Sequence, residues 1–265
     1  MQKILKNTIG CTKALGILLL LTVVASFPST SIAQEWGTLK GKFIYDGVAP
    51  APIEWKCNVK IDKDQKTCCA VKHIDESLLV DKDGGLANVI IWLRSKPKAI
   101  HPGYAADAKG TVTLDNKDCK FTPRAFGVRI GQTLEIANSD NVQHNSKGPG
   151  FNPLISPDTS TKQTPKSATL IPTEITCSIH PWMSCRMLVR PDPYFAVTAA
   201  DGTFEIKDLP AGDHEFSVWH EKAGYISKIQ LDGKATTWDK GRFKRKVVEG
   251  DNDLGEIKAS ATLFK

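Results

Sequence analysis

The segment CSIHPWMSC, residues 177–185, brings together three side chains that can bind a soft or borderline metal. Cys177, His180 and Met183 follow one another at intervals of three residues, so one loop could supply a thiolate, an imidazole and a thioether. A second imidazole, that of His144, lies 33 residues before the cysteine. Two His, one Cys and a weak axial Met are the ligands of mononuclear type 1, or blue, copper sites. These residues and their spacing therefore predict one copper ion bound by four side chains.

This combination of ligands suits the transfer of single electrons. A thiolate favours Cu(I), an imidazole suits both oxidation states, and a trigonal His₂Cys plane with a weak thioether is ideal for neither. Little therefore has to move when an electron arrives or leaves. Other interpretations of the loop remain open: a disulfide between Cys177 and Cys185, a zinc site, or copper that is carried without redox turnover.

Segment 108–191 resembles the cupredoxins, the blue copper proteins. The loop CSIHPWM is similar to the amicyanin-like ligand loop of that family, C-x-x-H-P-x-M, and GQTLEIANSDNVQHN resembles the strand and loop that carry the first histidine ligand. The resemblance implies that His144, Cys177 and His180 are equatorial ligands and that Met183 is the axial ligand.

Two neighbours of these ligands are further candidates for the site. The resemblance implies that Asn145, directly after the first histidine, ties the two ligand-bearing loops together. Trp182 and Pro181 lie beside His180 in the second loop. We expect Trp182 either to form a docking patch, where an electron leaves through the exposed ring edge of His180, or to be a packed loop aromatic.

The elements that would position these residues are predicted to be strands. Apolar and polar residues alternate in TFEIK, EFSVWH and TLEIAN, and turn signals such as DG and DGG separate such segments. ANVIIWL is a short continuous apolar run, which is typical of a strand buried on both faces. Segment 145–168 is rich in Pro, Ser, Thr and Lys and is predicted to be a long loop. The fold class is therefore all-β.

The outer parts of the chain resemble a different family, the carboxypeptidase regulatory-like β-sandwich. GTLKGKFIYDG, the apolar run ANVIIWL and DGTFEIKDLPAG follow the order of that family's motifs, with about 90 residues interposed. We therefore expect a discontinuous sandwich formed by 34–107 and 192–265. A cupredoxin Greek-key sandwich or barrel, 108–191, would be inserted in it or fused to it.

Residues 1–33 have the features of a signal peptide. A lysine-bearing start precedes an apolar stretch, and Ser31-Ile32-Ala33 offers the small residues of a cleavage site. We expect cleavage after Ala33, the alternative being an uncleaved anchor, and a periplasmic or secreted mature chain. Its net charge of +3, from 32 Lys and Arg against 29 Asp and Glu, is too small to indicate nucleic-acid binding. No later stretch is apolar enough to span a membrane.

Six cysteines remain after the leader, in a compartment where disulfides persist. At least one disulfide is expected among Cys57, Cys68, Cys69 and Cys119. The sequence does not distinguish between the two adjacent cysteines, and it leaves Cys185 unassigned.

These observations predict an exported electron carrier and not an enzyme. Multicopper oxidases need additional His pairs, and the sequence contains no H-x-H. Its partners would be redox proteins, namely a donor enzyme and a cytochrome-like acceptor. Two alternative functions remain. One is a copper chaperone or store with the same ligands, and the other is a β module that binds carbohydrate or protein.

Overall fold

The computed structural model describes residues 34–57 and 62–265, without the side chains of residues 62 and 63. The predicted signal peptide lies outside the described residues. Strands dominate this part of the chain, which confirms the all-β prediction. Its longest helix is α1 (Asp62–Cys68), and no described helix has the length and apolar character needed to cross a bilayer.

Two five-stranded sheets are built from the outer parts of the sequence. The first contains, in spatial order, β15 (Thr203–Pro210), β1 (Trp36–Asp46), β21 (Gly250–Ser260), β18 (Lys228–Leu231) and β19 (Lys234–Thr237). The second contains β14 (Phe195–Val197), β4 (Ile90–Leu93), β16 (Gly212–His220) and β17 (Gly224–Tyr225), with β20 (Arg242–Val247) also paired to β16. In the first sheet β1 and β21 run parallel, with Gly37 opposite Gly250.

The middle of the chain forms two smaller sheets. One contains β11 (Thr159–Gln163), β8 (Thr133–Asn138), β5 (Thr111–Lys117) and β6 (Lys120–Thr122), and the other contains β12 (Thr173–Thr176), β13 (Ser184–Arg190) and β7 (Ala125–Arg129). Two short strand pairs complete the set: β9 (His144–Asn145) with β10 (Leu154–Ile155), and β2 (Glu54–Trp55) with β3 (His73–Ile74). Single 3₁₀ turns occur at Pro102–Tyr104, Asp107–Lys109, Asp239–Gly241 and Ala261–Leu263.

The buried apolar side chains form two large clusters. The first packs between the two five-stranded sheets and draws on residues 39–93 and 194–264. The second packs between the two smaller sheets and draws on residues 114–189 and Cys68. Cys177 and Met183 belong to the second cluster, so two predicted ligands are held by the core of the middle segment.

Strands β4 and β16 are buried on both faces. For ANVIIWL this was expected, and all four residues of β4 are buried. The alternation predicted for EFSVWH is wrong, because residues 216–220 are all buried. The reason is a third apolar cluster on the far face of these strands, which contacts the middle segment and contains Ile90, Trp92, Ala125, Leu188 and Trp219. TFEIK and TLEIAN alternate as predicted.

Segment 145–168 is more regular than the predicted long loop. It contains the second residue of β9 together with β10 and β11. Strand β11 pairs antiparallel with β8 along five residues and forms the edge of its sheet. Its sequence, TSTKQ, has no apolar face, and none of its five side chains is buried. The strand forms because an edge strand gains backbone hydrogen bonds from its one neighbour, so it does not need a buried apolar face.

Two disulfides confirm the prediction of at least one such bond among Cys57, Cys68, Cys69 and Cys119, and they resolve the pairing. Cys57 is bonded to Cys69, and Cys68 is bonded to Cys119. The second bond attaches the end of α1 to the turn between β5 and β6. Cys177 and Cys185 are both buried free thiols, so the alternative of a bridge between them is wrong.

Candidate metal centre

The predicted ligand loop connects β12 to β13. Thr176 pairs with Ser184 across these antiparallel strands, and Cys177 follows the first strand while Met183 precedes the second. The amide of Cys177 donates to the Met183 carbonyl (3.2 Å), and the amide of Met183 donates to the His180 carbonyl (2.9 Å). These bonds fold the loop tightly, so that its three candidate ligands lie close together.

His144 is brought to this loop by backbone pairing. Shortly after β9, Lys147 exchanges two hydrogen bonds with Thr176, of 2.8 and 3.0 Å. The chain that carries His144 therefore lies beside the strand that leads into Cys177. His144, Cys177 and His180 each offer a ligand atom, and these atoms lie within 4.8 Å of one another.

The geometry of the three atoms fits a single ion. The Nδ1 atoms of His144 and His180 are 2.9 Å apart, and Cys177 Sγ is 3.9 Å from His180 Nδ1. Metal–nitrogen and metal–sulfur bonds of roughly 2.0 and 2.3 Å, as for zinc, separate neighbouring ligand atoms by roughly 3.3 to 3.6 Å. Shifts of a few tenths of an ångström would therefore satisfy one ion. Met183 is buried in the same apolar cluster as Cys177.

Each imidazole has a carboxylate oxygen close to its Nε2 atom, and these contacts were not predicted from the sequence. His144 Nε2 lies 2.8 Å from Asp140 Oδ2, and His180 Nε2 lies 3.3 Å from Asp64 Oδ2. A proton on Nε2 leaves the Nδ1 lone pair free for a metal, and such carboxylate contacts orient histidine ligands. The motif N-x-D-x-x-x-H contained Asp140 and could have indicated it, whereas no local signal pointed to Asp64.

Asn145 lies between the two ligand-bearing segments. Its Oδ1 accepts hydrogen bonds from the Ser178 amide (2.7 Å) and the Cys177 thiol (3.5 Å). Its Nδ2 donates to Asn152 Oδ1 at 2.7 Å. The side chain therefore links the His144 segment to the Cys177 loop, as the resemblance implied.

The surroundings of Cys177 and His144 shift the pKa values of both groups. Burial raises the pKa of Cys177, but hydrogen bonds with His144 and His180 outweigh burial and lower this pKa to about 6. Burial lowers the pKa of His144, but Asp140 and Cys177 outweigh it and raise this pKa to about 9. For Cys185 burial dominates and raises the pKa well above its usual range. Of these two buried free thiols, Cys177 is the one prepared to act as a thiolate ligand.

The expectation that the ring edge of His180 is exposed is wrong. Helix α1 and the Cys68–Cys119 bond cover this ring, which is fully buried between Asp64 and Cys68 Sγ, the latter 3.7 Å from His180 Nε2. The Trp182 ring is half-buried: its Nε1–H donates to the Cys119 carbonyl at 2.9 Å, while part of the ring stays exposed.

A second group of potential ligand atoms, from Cys119, Asp140 and His144, also lies within 4.8 Å. Cys119 is bonded to Cys68 and therefore offers no thiolate. The predicted group that contains Cys177 is the one with the chemistry of a soft metal site.

Comparison with known proteins gives matches to part of the chain. No family model and no curated protein matches it. Among solved structures, a purple cupredoxin from Nitrosopumilus maritimus is 19% identical, with a TM-score of 0.27, over 31% of this chain and 99% of that protein. A Cu(I) form of an amicyanin mutant is 18% identical, with a TM-score of 0.28, over 38% of this chain and 98% of that protein. A copper-containing nitrite reductase from Thermus scotoductus is 23% identical, with a TM-score of 0.27. This match covers 30% of the present chain and 22% of the length of the reductase.

Proposed function

We propose that this protein binds one type 1 copper ion through His144, Cys177, His180 and Met183 and carries single electrons between redox proteins. The observation that carries the proposal is the convergence of two Nδ1 atoms and one low-pKa thiol in a buried site. The bound ion would supply the reversible one-electron couple. This donor set fits copper because thiolate and imidazole serve both of its oxidation states.

The surrounding residues support an electron carrier. The candidate ligands are held in one arrangement by the hydrogen bond between His144 and Asp140 and by the ionic contact of His180 with Asp64. Asn145 adds the bond that its Oδ1 accepts from the Ser178 amide. All four candidate ligands are almost fully buried, which keeps water away from the ion. A rigid, dry site limits the movement that accompanies electron transfer and offers no open position to a substrate.

Two disulfides within residues 57–119 support an exported protein, because such bonds persist in oxidising compartments. The partners would be a donor enzyme and a cytochrome-like acceptor in the periplasm or outside the cell.

Copper reconstitution of the mature protein tests the ligand set. The oxidised protein should have an intense visible thiolate-to-copper band at one copper per chain. Cys177→Ser should abolish the band, whereas Cys185→Ser, at the other buried free thiol, should retain it. A band that survives Cys177→Ser, or an absence of any band in wild-type protein that binds copper, would refute the proposal.

Met183→Leu separates an electron carrier from a copper chaperone. The substitution removes a weak donor and keeps a side chain of similar volume. A carrier should retain its copper and its band and shift to a higher reduction potential, because Cu(II) loses more from the missing donor. Rapid loss of Cu(I) from the wild-type protein to a modest chelator, without a reversible couple, would instead identify a chaperone or store.

A further inference from the structure

The ring of His180 has no direct path to solvent. On its Nε2 side lie Asp64 Oδ2 at 3.3 Å and Cys68 Sγ at 3.7 Å. Both belong to α1, which the Cys57–Cys69 and Cys68–Cys119 bonds hold in place. An electron that reached the metal through this edge would have to cross the tethered helix.

A stack of aromatic rings leads away from His180 in another direction. Its ring centroid lies 5.3 Å from that of Trp182, which in turn lies 5.2 Å from that of His73. The rings meet at 47° and 40°, so both are tilted packings at the centroid separations usual for aromatic pairs. His73 is anchored by a 2.7 Å contact between its Nε2 and the Cys68 carbonyl.

This stack ends at a surface cleft of about 290 Å³. Trp182, His73 and Met183 line the cleft, and Trp55, which is 49% exposed, lies at its rim. Through Trp182, solvent or another molecule in the cleft comes within one aromatic ring of His180, whereas Met183 is only 1% exposed there.

We infer that Trp182 is the relay through which electrons enter and leave the metal centre, at this cleft. The inference rests on the proposed copper site and assigns a route to it. In oxidation the reduced centre would lose one electron and an external oxidant would gain it; in reduction an external donor would lose one electron to the oxidised centre. Neither event exchanges a proton or a covalent bond. The Trp182 ring provides electronic contact between His180 and a redox group seated in the cleft.

Two substitutions of Trp182 isolate the contribution of its ring. Trp182→Phe and Trp182→Leu both remove the Nε1–H bond to Cys119, but only the first keeps an aromatic ring. Stopped-flow oxidation of the Cu(I) protein by hexacyanoferrate(III) measures the rate, and the visible band and reduction potential serve as checks of the site. The phenylalanine variant should react at close to the wild-type rate and the leucine variant more slowly, with the band and potential of both unchanged.

Blocking the cleft provides a second test that leaves Trp182 intact. Lys222 is exposed and lines the cleft, so Lys222→Cys can be labelled with a bulky neutral maleimide. Labelling should slow oxidation relative to the unlabelled variant, whereas labelling of Ala235→Cys, on β19, should not. The buried Cys185 thiol does not compete for the label.

The outcomes separate the relay from the copper site itself. Absence of a copper band in the wild-type protein would refute the proposed function. With the band present, equal rates for Trp182→Leu and wild type, equal slowing in both Trp182 variants, or no effect of the Lys222→Cys label would each overturn the relay. If Trp182→Leu loses the band, the labelling experiment decides.

Discussion

Asn145→Ala should reveal how strongly one amide holds the two ligand segments together. The substitution removes the 2.7 Å bond from the Ser178 amide and the 2.7 Å bond to Asn152. Two such bonds contribute about 1 kcal/mol each. The free energy of unfolding of the metal-free protein should therefore fall by about 2 kcal/mol.

Urea unfolding followed by tryptophan fluorescence measures this loss, and Asn152→Ala is the matched control. The control removes only the outer hydrogen bond, from an exposed residue, and should cost under about 1 kcal/mol. Copper affinity should fall about 10- to 100-fold in Asn145→Ala, as for other groups that support metal ligands. Equal stability losses in the two variants would refute the view that Asn145 organises the Cys177 loop.

Three other changes test the fold around the centre. Replacing Cys68 and Cys119 by Ala opens a loop with a sequence separation of 51 and should lower unfolding stability in urea by about 4 kcal/mol; a loss below about 1 kcal/mol would contradict this. Burial lowers the pKa of His220 to about 4, so the unfolded chain binds the proton first as the pH falls. Stability should decrease by about 3 kcal/mol between pH 6.5 and 4, and His220→Gln should remove this slope. Glu221→Gln breaks a buried two-bond pair with Arg124 and should cost about 3 to 5 kcal/mol in thermal or urea unfolding; an unchanged midpoint would refute it.

The convergence of His144, Cys177 and His180 could be predicted from the sequence because the chemistry of the four candidate ligands is local. Three of the four residues lie in one loop of seven, and the fourth precedes Asn145 in a motif with its own spacing. Alternation likewise predicted β8 and β15, where one face is buried and the other is not.

What the sequence could not predict depends on contacts between distant segments. Asp64 reaches His180 only because a disulfide fixes α1 beside the ligand loop, and no pattern near Asp64 marks this contact. The same helix buries the ring that was expected to be exposed. In β16 the second buried face depends on a cluster with residues such as Leu188, which periodicity within β16 does not reveal.

The position of β1 has a consequence for the biogenesis of the protein. This strand lies inside its sheet, between β15 and β21, and Gly37 is paired with Gly250. Strand β1 therefore gains its first strand partner only when β15 has been synthesised, and its second only when β21 follows. The strands of the middle segment pair only with one another and have all their partners much earlier. During synthesis the strands of the middle segment can thus pair before the sheet that contains β1 is complete.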